Sequence, residues 1–283
     1  MEFKPHSQNP LAKHFRQPAI YLKLPSQGSY WADGTLELAV SGEIGILPMS
    51  TKDEITLKTP DALINGQGVV SVIESCCPNI KDAWAAPSID VDSILISIRI
   101  ASYGNNMDVE SVCPHCGETS EYAINLGNVL QSIKLPAYQK KVEVENLKIK
   151  LKPAPYYAVN KANQIAFEEQ QIIKSLSGML DDAEASAEFD KHLAKLITLS
   201  IENLSFSTDY IELDDGTIVN NPKHIAEFYQ NCDTKVIKEI RSTLAEFDKD
   251  GSIKSIPVNC TSCSKEFLID LTFDYASFFA EGS

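Results

Sequence analysis

Cys113-Pro-His-Cys116 and Cys260-Thr-Ser-Cys263 are the residues of this chain best placed to do chemistry. Each is a Cys-x-x-Cys knuckle. Cysteines three positions apart can turn both sulfurs to one point across a tight turn. Two such knuckles supply four thiolates, the ligand set of a closed, tetrahedral zinc site. Four sulfurs leave no open coordination position, so the expected Zn2+ is structural, held by Cys113, Cys116, Cys260 and Cys263. Gly117 follows the first knuckle and gives the backbone the freedom such a turn needs. Ser264 stands at the matching place in the second knuckle and fits less well. His115, inside the first knuckle, is expected to face solvent. One Cys-x-x-Cys is a weak sign; two with matching context are a strong one. A redox pair is disfavoured, because the first knuckle lacks the strand-to-helix setting of thioredoxin folds.

Strands must position these sulfurs. Tyr122, Ile124 and Leu126 alternate after the first knuckle; Phe267, Ile269, Leu271 and Phe273 alternate after the second. The pattern reads as two hairpins of one zinc ribbon, opened by the long stretch between them. Val142–Val144 and Leu147–Leu151, joined at Glu145-Asn146, read as a further hairpin. Residues 156–250 are helical in pattern. Ile165, Ile172, Ile173, Leu176 and Leu180 recur at helical spacing, as do Phe189, Leu193, Leu196, Ile197, Ile201 and Leu204. Asp214-Asp215-Gly216 marks a turn between two short strands. Asn221-Pro222 starts a short helix burying Ile225, Phe228 and Tyr229. Asp233 caps a last long helix with Val236, Ile237, Ile240, Leu244 and Phe247 inward, and Gly251 ends it. Tyr275, Phe278 and Phe279 form an aromatic tail that packs.

Upstream, Ala19–Leu24 and Thr35–Val40 read as strands of a small β-segment. Helices begin near residue 51. Thr59-Pro60-Asp61 is a helix start signal, and Pro78 stops a helix running over Val69–Cys77. Ile94, Ile96, Ile98 and Ile100 alternate like a buried strand. Ile94, Leu95, Ile98 and Ala101 also share one helical face, Asp90 can cap and Gly104 can end the run, so Asp90–Tyr103 is read as a helix. The expected fold class is α+β: an N-terminal arm and small β-segment over 1–50, a helical region over 51–110, a zinc ribbon split between 111–152 and 252–283, and an α-helical insertion over 153–251.

The chain has 283 residues, a net charge of -14 and a pI near 4.8. That balance argues against general binding to a phosphate backbone, which needs Lys and Arg to replace counterions. It suits a basic partner surface. No apolar run approaches the roughly 20 residues that span a bilayer, and Met1–His6 holds no apolar signal-peptide core, so no membrane role is expected. Seven cysteines are an odd count. They fit one metal site plus Cys76, Cys77 and Cys232, read as small packing residues. Asp90 and Asp92 could hold Mg2+ with a nucleotide, but no Gly-rich phosphate loop accompanies them. Asp248-Lys-Asp250-Gly251 resembles half of an EF-hand loop without its later ligands. Asp181-Asp182-Ala183-Glu184 reads as a solvated link and helix N-terminus. None of the five histidines sits beside a nucleophile motif. No catalytic residue, no small-molecule substrate and no cofactor besides zinc is expected. Residues 1–17 read as a polar, extended arm ordered by a partner.

Several short motifs occur in order: Asn9-Pro10-Leu11, Phe15-Arg16-Gln17-Pro18, Leu24-Pro25-Ser26, Pro48-Met49-Ser50, Lys58-Thr59-Pro60-Asp61-Ala62-Leu63, Ile98-Arg99-Ile100-Ala101-Ser102-Tyr103-Gly104 and Cys113-Pro-His-Cys116. Together they resemble the T4-type bacteriophage baseplate hub assembly proteins of contractile-tailed phages, most densely over residues 9–117. The resemblance implies a non-enzymatic structural or assembly component of the tail baseplate, in its hub region, that binds other tail proteins. Its places would be the host cytoplasm during assembly and the virion tail baseplate. Phe15, Arg16 and Pro18 are the expected partner contacts, as anchors in the arm. Two other functions fit the cysteines. One is a zinc-ribbon nucleic-acid-binding module using Lys134, Lys140, Lys141, Lys254 and Lys265. The other is an enzyme with a structural zinc.

Overall fold

The computed structural model describes residues 9–59, 66–176, 183–251, 253, 255–271 and 278–279. The mixture of helices and antiparallel strands is α+β. Strand β1 (Ile20–Leu22) pairs with β2 (Ile44–Ile46). Ser50 and Asp53 then form a reciprocal capping box that starts α1 (Thr51–Leu57). Helix α2 (Gln67–Cys76) begins after Gly66, whose φ of +74° suits glycine, and stops short of Pro78. The start signal at Thr59-Pro60-Asp61 lies outside the described residues beyond Thr59.

Helix α3 (Ser88–Tyr103) decides between the two readings of the isoleucine run. Val91, Ile94, Leu95, Ile96 and Ile98 are all buried, so the helix is enclosed on every side. An enclosed helix has no polar face, which is why its isoleucines also alternate like a strand. Gly104 ends it at φ +91°. Asp90 is not its cap: Pro87 takes that place, and Asp90 is fully buried within the first turn. Its carboxylate accepts from the Ser26 amide and hydroxyl and from Trp31 Nε1 at 2.8 Å, which ties the 26–31 turn to α3.

Asp92, on the same helix, is only half-buried. Burial alone pushes its carboxyl up to about 6. The unfolded value is near 3.9, so the folded state prefers the protonated form. The penalty is absent below pH ~4 and complete above the folded value, and stability falls as pH rises between them. Asp92→Asn is expected to stabilise the chain by about 2 kcal/mol at pH 7.5, after allowance for solvent screening, and by nothing at pH 4. Thermal melts of both proteins across that range check it; an equal gain at both pH values would refute the assignment.

Two hairpins follow the same plan. Strands β3 (Asn106–Val112) and β4 (Thr119–Asn125) flank the first knuckle. Strands β9 (Ile256–Asn259) and β10 (Glu266–Ile269) flank the second. Leu126 does not continue β4: Asn125 accepts from the Asn128 amide and caps α4 (Leu126–Ser132). Leu271 lies beyond the end of β10, and Phe273 and Tyr275 lie outside the described residues. Phe278 and Phe279 are buried, as an aromatic tail that packs should be.

Between the hairpins, β5 (Lys141–Val144), β6 (Leu147–Leu151), β7 (Thr208–Glu212) and β8 (Ile218–Val219) form one antiparallel sheet in that order. Because β6 pairs with β7, this sheet crosses the boundary expected at residue 153. Helices α5 (Tyr156–Leu176) and α6 (Ala183–Phe206) form a hairpin, and α7 (Pro222–Asn231) and α8 (Thr234–Gly251) complete the described helices. Asn221 and Asp233 cap the last two through their side chains.

Two hydrophobic cores result. The first joins β1, β2, α2 and α3 to both knuckle hairpins and to Phe278 and Phe279. The second packs the four-stranded sheet against α7, α8 and Leu204 of α6. Thr35–Val40 is not a strand. Leu36 makes an isolated bridge to Ile80, the Glu37 amide donates to Asn79 O and the Lys81 amide donates to Thr35 O, so the segment bonds to residues 79–81 and not to a neighbouring strand. Cys76 and Cys77 are buried packing residues, while Cys232 is only half-buried. Burial pushes the Cys76 thiol up to about 12.

Candidate metal centre

Each knuckle is built by the same backbone bonds. In the first, the Cys113 amide donates to Glu118 O and the Gly117 amide to Cys113 O, both at 2.9 Å. In the second, the Cys260 amide donates to Lys265 O at 3.0 Å and the Ser264 amide to Cys260 O at 2.9 Å. These bonds fold the chain so sharply that the residue after the second cysteine must enter the left-handed region. Gly117 sits there at φ +76° and Ser264 at φ +58°. For Ser264 that conformation costs roughly 1–2 kcal/mol. Ser264→Gly relieves it while adding backbone entropy to the unfolded chain. A net gain of about 0.5–1 kcal/mol is expected, read as a higher denaturation midpoint with unchanged metal content. A lower midpoint would contradict the matched geometry.

The two hairpins bring their sulfurs together. Cys113 Sγ lies 3.8 Å from Cys263 Sγ, and Cys116 Sγ lies 3.6 Å from Cys260 Sγ. All four sulfurs fall within 4.8 Å of one another. A tetrahedral ion with metal–sulfur arms of about 2.3 Å sets its sulfurs ~3.8 Å apart. The donor set and its spacing therefore fit one ion among four thiolates. Further bonds lock the hairpins in register: Ser120 Oγ meets Thr261 Oγ1 at 2.9 Å, and His115 Nε2 meets Glu266 O at 3.3 Å. The Tyr122 and Phe267 rings pack edge to face, 5.6 Å between centroids. His115 is exposed, and its ring touches the opposite hairpin without joining the sulfurs.

Amide donors prepare the site for thiolate. The Cys263 amide lies 3.5 Å from Cys260 Sγ, and the His115 amide lies 3.4 Å from Cys113 Sγ. The Cys263 amide is the main cause that lowers the Cys260 thiol to about 6. At Cys116 the Glu118 amide acts in the same direction. Desolvation and the neighbouring sulfurs outweigh it and push that thiol to about 12. Without a cation, four sulfurs this close cannot all be thiolates. A divalent ion supplies the charge that lets them be. Cys113 and Cys260 are buried in the first core, while Cys116 is exposed. With every position taken by sulfur, such an ion holds structure and binds no substrate.

The expected partner contacts lie apart from the sulfurs. Arg16 Nη1 donates to Asp53 Oδ2 at 2.8 Å and Pro48 O at 2.9 Å. Its Nη2 donates to Ser75 Oγ at 2.7 Å and Ser75 O at 3.0 Å. Phe15 and Pro18 on either side are exposed. Burial raises the Asp53 carboxyl, but the Ser50 amide and hydroxyl, the Ser75 hydroxyl and the Arg16 charge together hold it below the usual range. Sequence patterning also missed a second polar cluster. His192 on α6 is buried and meets Glu169 of α5 with Nδ1 and Glu188 with Nε2, while Lys195 reaches Glu169 at 3.2 Å. No single segment signals it, because its members lie on two helices. Of the lysines expected beside the ribbon, Lys141 is bound to Glu212 at 2.6 Å and Lys254 lies outside the described residues. Among the described residues no helix is long and apolar enough to cross a membrane.

The family model described as T4 bacteriophage base plate protein matches residues 20–280. Neither a curated protein nor a solved structure matches the chain. The match covers both knuckles, the hairpins that carry them and nearly all of the sequence between and before them. The chain belongs to the T4 bacteriophage base plate protein family.

Proposed function

We propose that this protein is a non-enzymatic structural or assembly component of the hub region of a contractile phage tail baseplate, where it binds other tail proteins. The observation that carries the reading is the family match over residues 20–280. The chemistry agrees with it: the one described cluster of metal-ligand residues is a closed set of four sulfurs. Zinc is the ion proposed, because four thiolates in a tetrahedron suit its size and softness. The two knuckle hairpins then act as one zinc ribbon. The domain plan that goes with it is an arm and β-segment over 1–50, a helical region over 51–110, a ribbon split between 111–152 and 252–283, and an insertion over 153–251. In this plan the ion fastens the end of the chain to its middle.

Phe15, Arg16 and Pro18 remain the proposed partner-binding residues. Their roles divide: Arg16 fastens the arm to the body, and Phe15 and Pro18 present exposed surface to a neighbour. The protein would act in the host cytoplasm during assembly and take its place in the virion tail. Mass spectrometry of purified particles and of infected cells tests this. Peptides in stoichiometric amounts from particle tails support a structural subunit. Peptides confined to infected-cell assembly complexes support an assembly factor. Presence in neither, or hydrolytic activity of the purified protein on cell-wall or tail material, would sink the reading.

A further inference from the structure

Between the α5–α6 hairpin, α8 and the segment after β6 lies a cleft of about 560 Å3. Ligand sites fall in the range of roughly 300–1,000 Å3. Ala162, Ala166 and Ser200 border it and are too short to fill it. Arg241, Leu244 and Asp248 recur at helical spacing on the face of α8 that lines it.

The lining combines apolar surface with polar groups that the protein itself leaves unused. Tyr138 is only 3% exposed, with its ring held against Tyr30 and Phe247. Its hydroxyl has no hydrogen-bond partner among the described residues. A buried hydroxyl left in that state is costly unless something else supplies the bond. The carboxamides of Asn163 on α5 and Asn203 on α6 are likewise without partners among the described residues. Arg241 Nη2 donates to Ser200 Oγ at 2.7 Å, which fixes the guanidinium at the cleft. Arg241 enters no ion pair among the described residues. Lys152, the other cation of the lining, is 3.6 Å from Asp209.

We propose that this cleft binds a carboxylate side chain carried by an apolar segment of a neighbouring tail protein. The carboxylate pairs with the Arg241 guanidinium, and the Tyr138 hydroxyl and the Asn203 carboxamide bond to the segment's backbone. The proposal deepens the reading of the chain as a tail scaffold protein and rests on it. A guanidinium held through one nitrogen keeps further N–H groups in a planar fork, which matches a carboxylate. A carboxamide both donates and accepts, as a peptide group does. Asp248 borders the same cleft. Its charge disfavours a phosphate dianion more than a single carboxylate, and its oxygens can accept from peptide N–H groups. Asn163 and Arg241 are both exposed, so the cleft is open along its edge and a segment can lie across it.

Saturation-transfer NMR on the full, metal-loaded chain tests the chemistry with two probes. Phenylbutyrate is an apolar body with one carboxylate; phenylbutyramide is its uncharged analogue. The acid is expected to bind with a Kd on the order of 1 mM, and the amide about ten-fold more weakly. Arg241→Gln should bring the acid down to the level of the amide with an unchanged melting midpoint, because Arg241 is exposed. Tyr138→Phe should weaken the acid about five-fold without lowering the midpoint, since the hydroxyl makes no bond in the free protein. Equal binding of both probes overturns the proposal, as does an Arg241→Gln protein that still prefers the acid. A Tyr138→Phe midpoint below that of the wild type also overturns it, because the hydroxyl would then already be bonded. In infected cells, Arg241→Glu is expected to lower the amount of the chain in particles or assembly complexes about ten-fold. Undiminished incorporation overturns the protein source of the carboxylate and leaves the baseplate reading standing. Absence of the wild type from both removes the baseplate reading, and the proposed partner with it, even where phenylbutyrate binds.

Discussion

Cys260→Ser is expected to remove stoichiometric metal from the protein and to destabilise the whole chain. The binding free energy of a structural metal is also folding free energy, about 10–16 kcal/mol for zinc in isolated finger peptides. The loss here is smaller, because the hairpins can part while other packing remains. About 5 kcal/mol is a reasonable expectation, which lowers the melting midpoint by roughly 10–20 °C for a chain of this size. The effect reaches beyond the knuckle because of where the sulfurs sit. Cys113 and Cys260 belong to the first core with Ile94, Ile98 and Phe267. Three sulfurs without their ion would leave charged or poorly solvated groups against that core. Elemental analysis and calorimetry measure both effects. Cys232→Ser is the control: Cys232 is half-buried, lies outside the cluster, and should leave metal content unchanged. A Cys260→Ser protein with one metal per chain and an unmoved midpoint would end the four-sulfur account.

The cluster of four sulfurs was legible in sequence because ligand chemistry restricts local spacing. A Cys-x-x-Cys turn fixes its own geometry, and the alternation after it fixes a strand. The α+β mixture was legible for similar reasons, through caps such as Asn221 and Asp233 and a stop such as Gly104. Other features depend on partners far along the chain. Asp53 caps α1 locally, but its ion pair comes from Arg16, 37 residues away. The alternation at Thr35–Val40 suggested a strand whose bonds go to the 79–81 turn instead. Leu193 and Ile197 fit an inward stripe by period, yet α7 and the sheet reach only its far half. Periodicity reports that a face is apolar; it does not report what covers it.

Asp90 shows the same point at the largest cost. As a residue near a helix start it reads as a cap, for which loss costs about 1 kcal/mol. Its actual partners, Ser26 and Trp31, lie 64 and 59 residues away, and its side chain is fully buried. Asp90→Ala would strand the Ser26 amide and the Trp31 indole N–H in the interior. Each stranded donor costs roughly 1–3 kcal/mol, so a loss of about 3 kcal/mol or more is expected. Asp90→Asn separates shape from bonding. Its carbonyl can still accept from the Ser26 hydroxyl and Trp31, while its amide faces the Ser26 amide and loses that bond, at a cost of about 1–2 kcal/mol. Burial is the main influence on the carboxyl and raises it, with the Ser26 and Trp31 bonds offsetting only part. The charged form is therefore disfavoured in the fold, and Asn gains by carrying no charge. Chemical denaturation should rank the proteins wild type, Asn, Ala in falling stability at pH 7. An Ala variant as stable as the wild type would mean that the 26–31 turn is held by packing alone. The route from the N-terminal segment to the buried helix α3 would then not pass through this carboxylate.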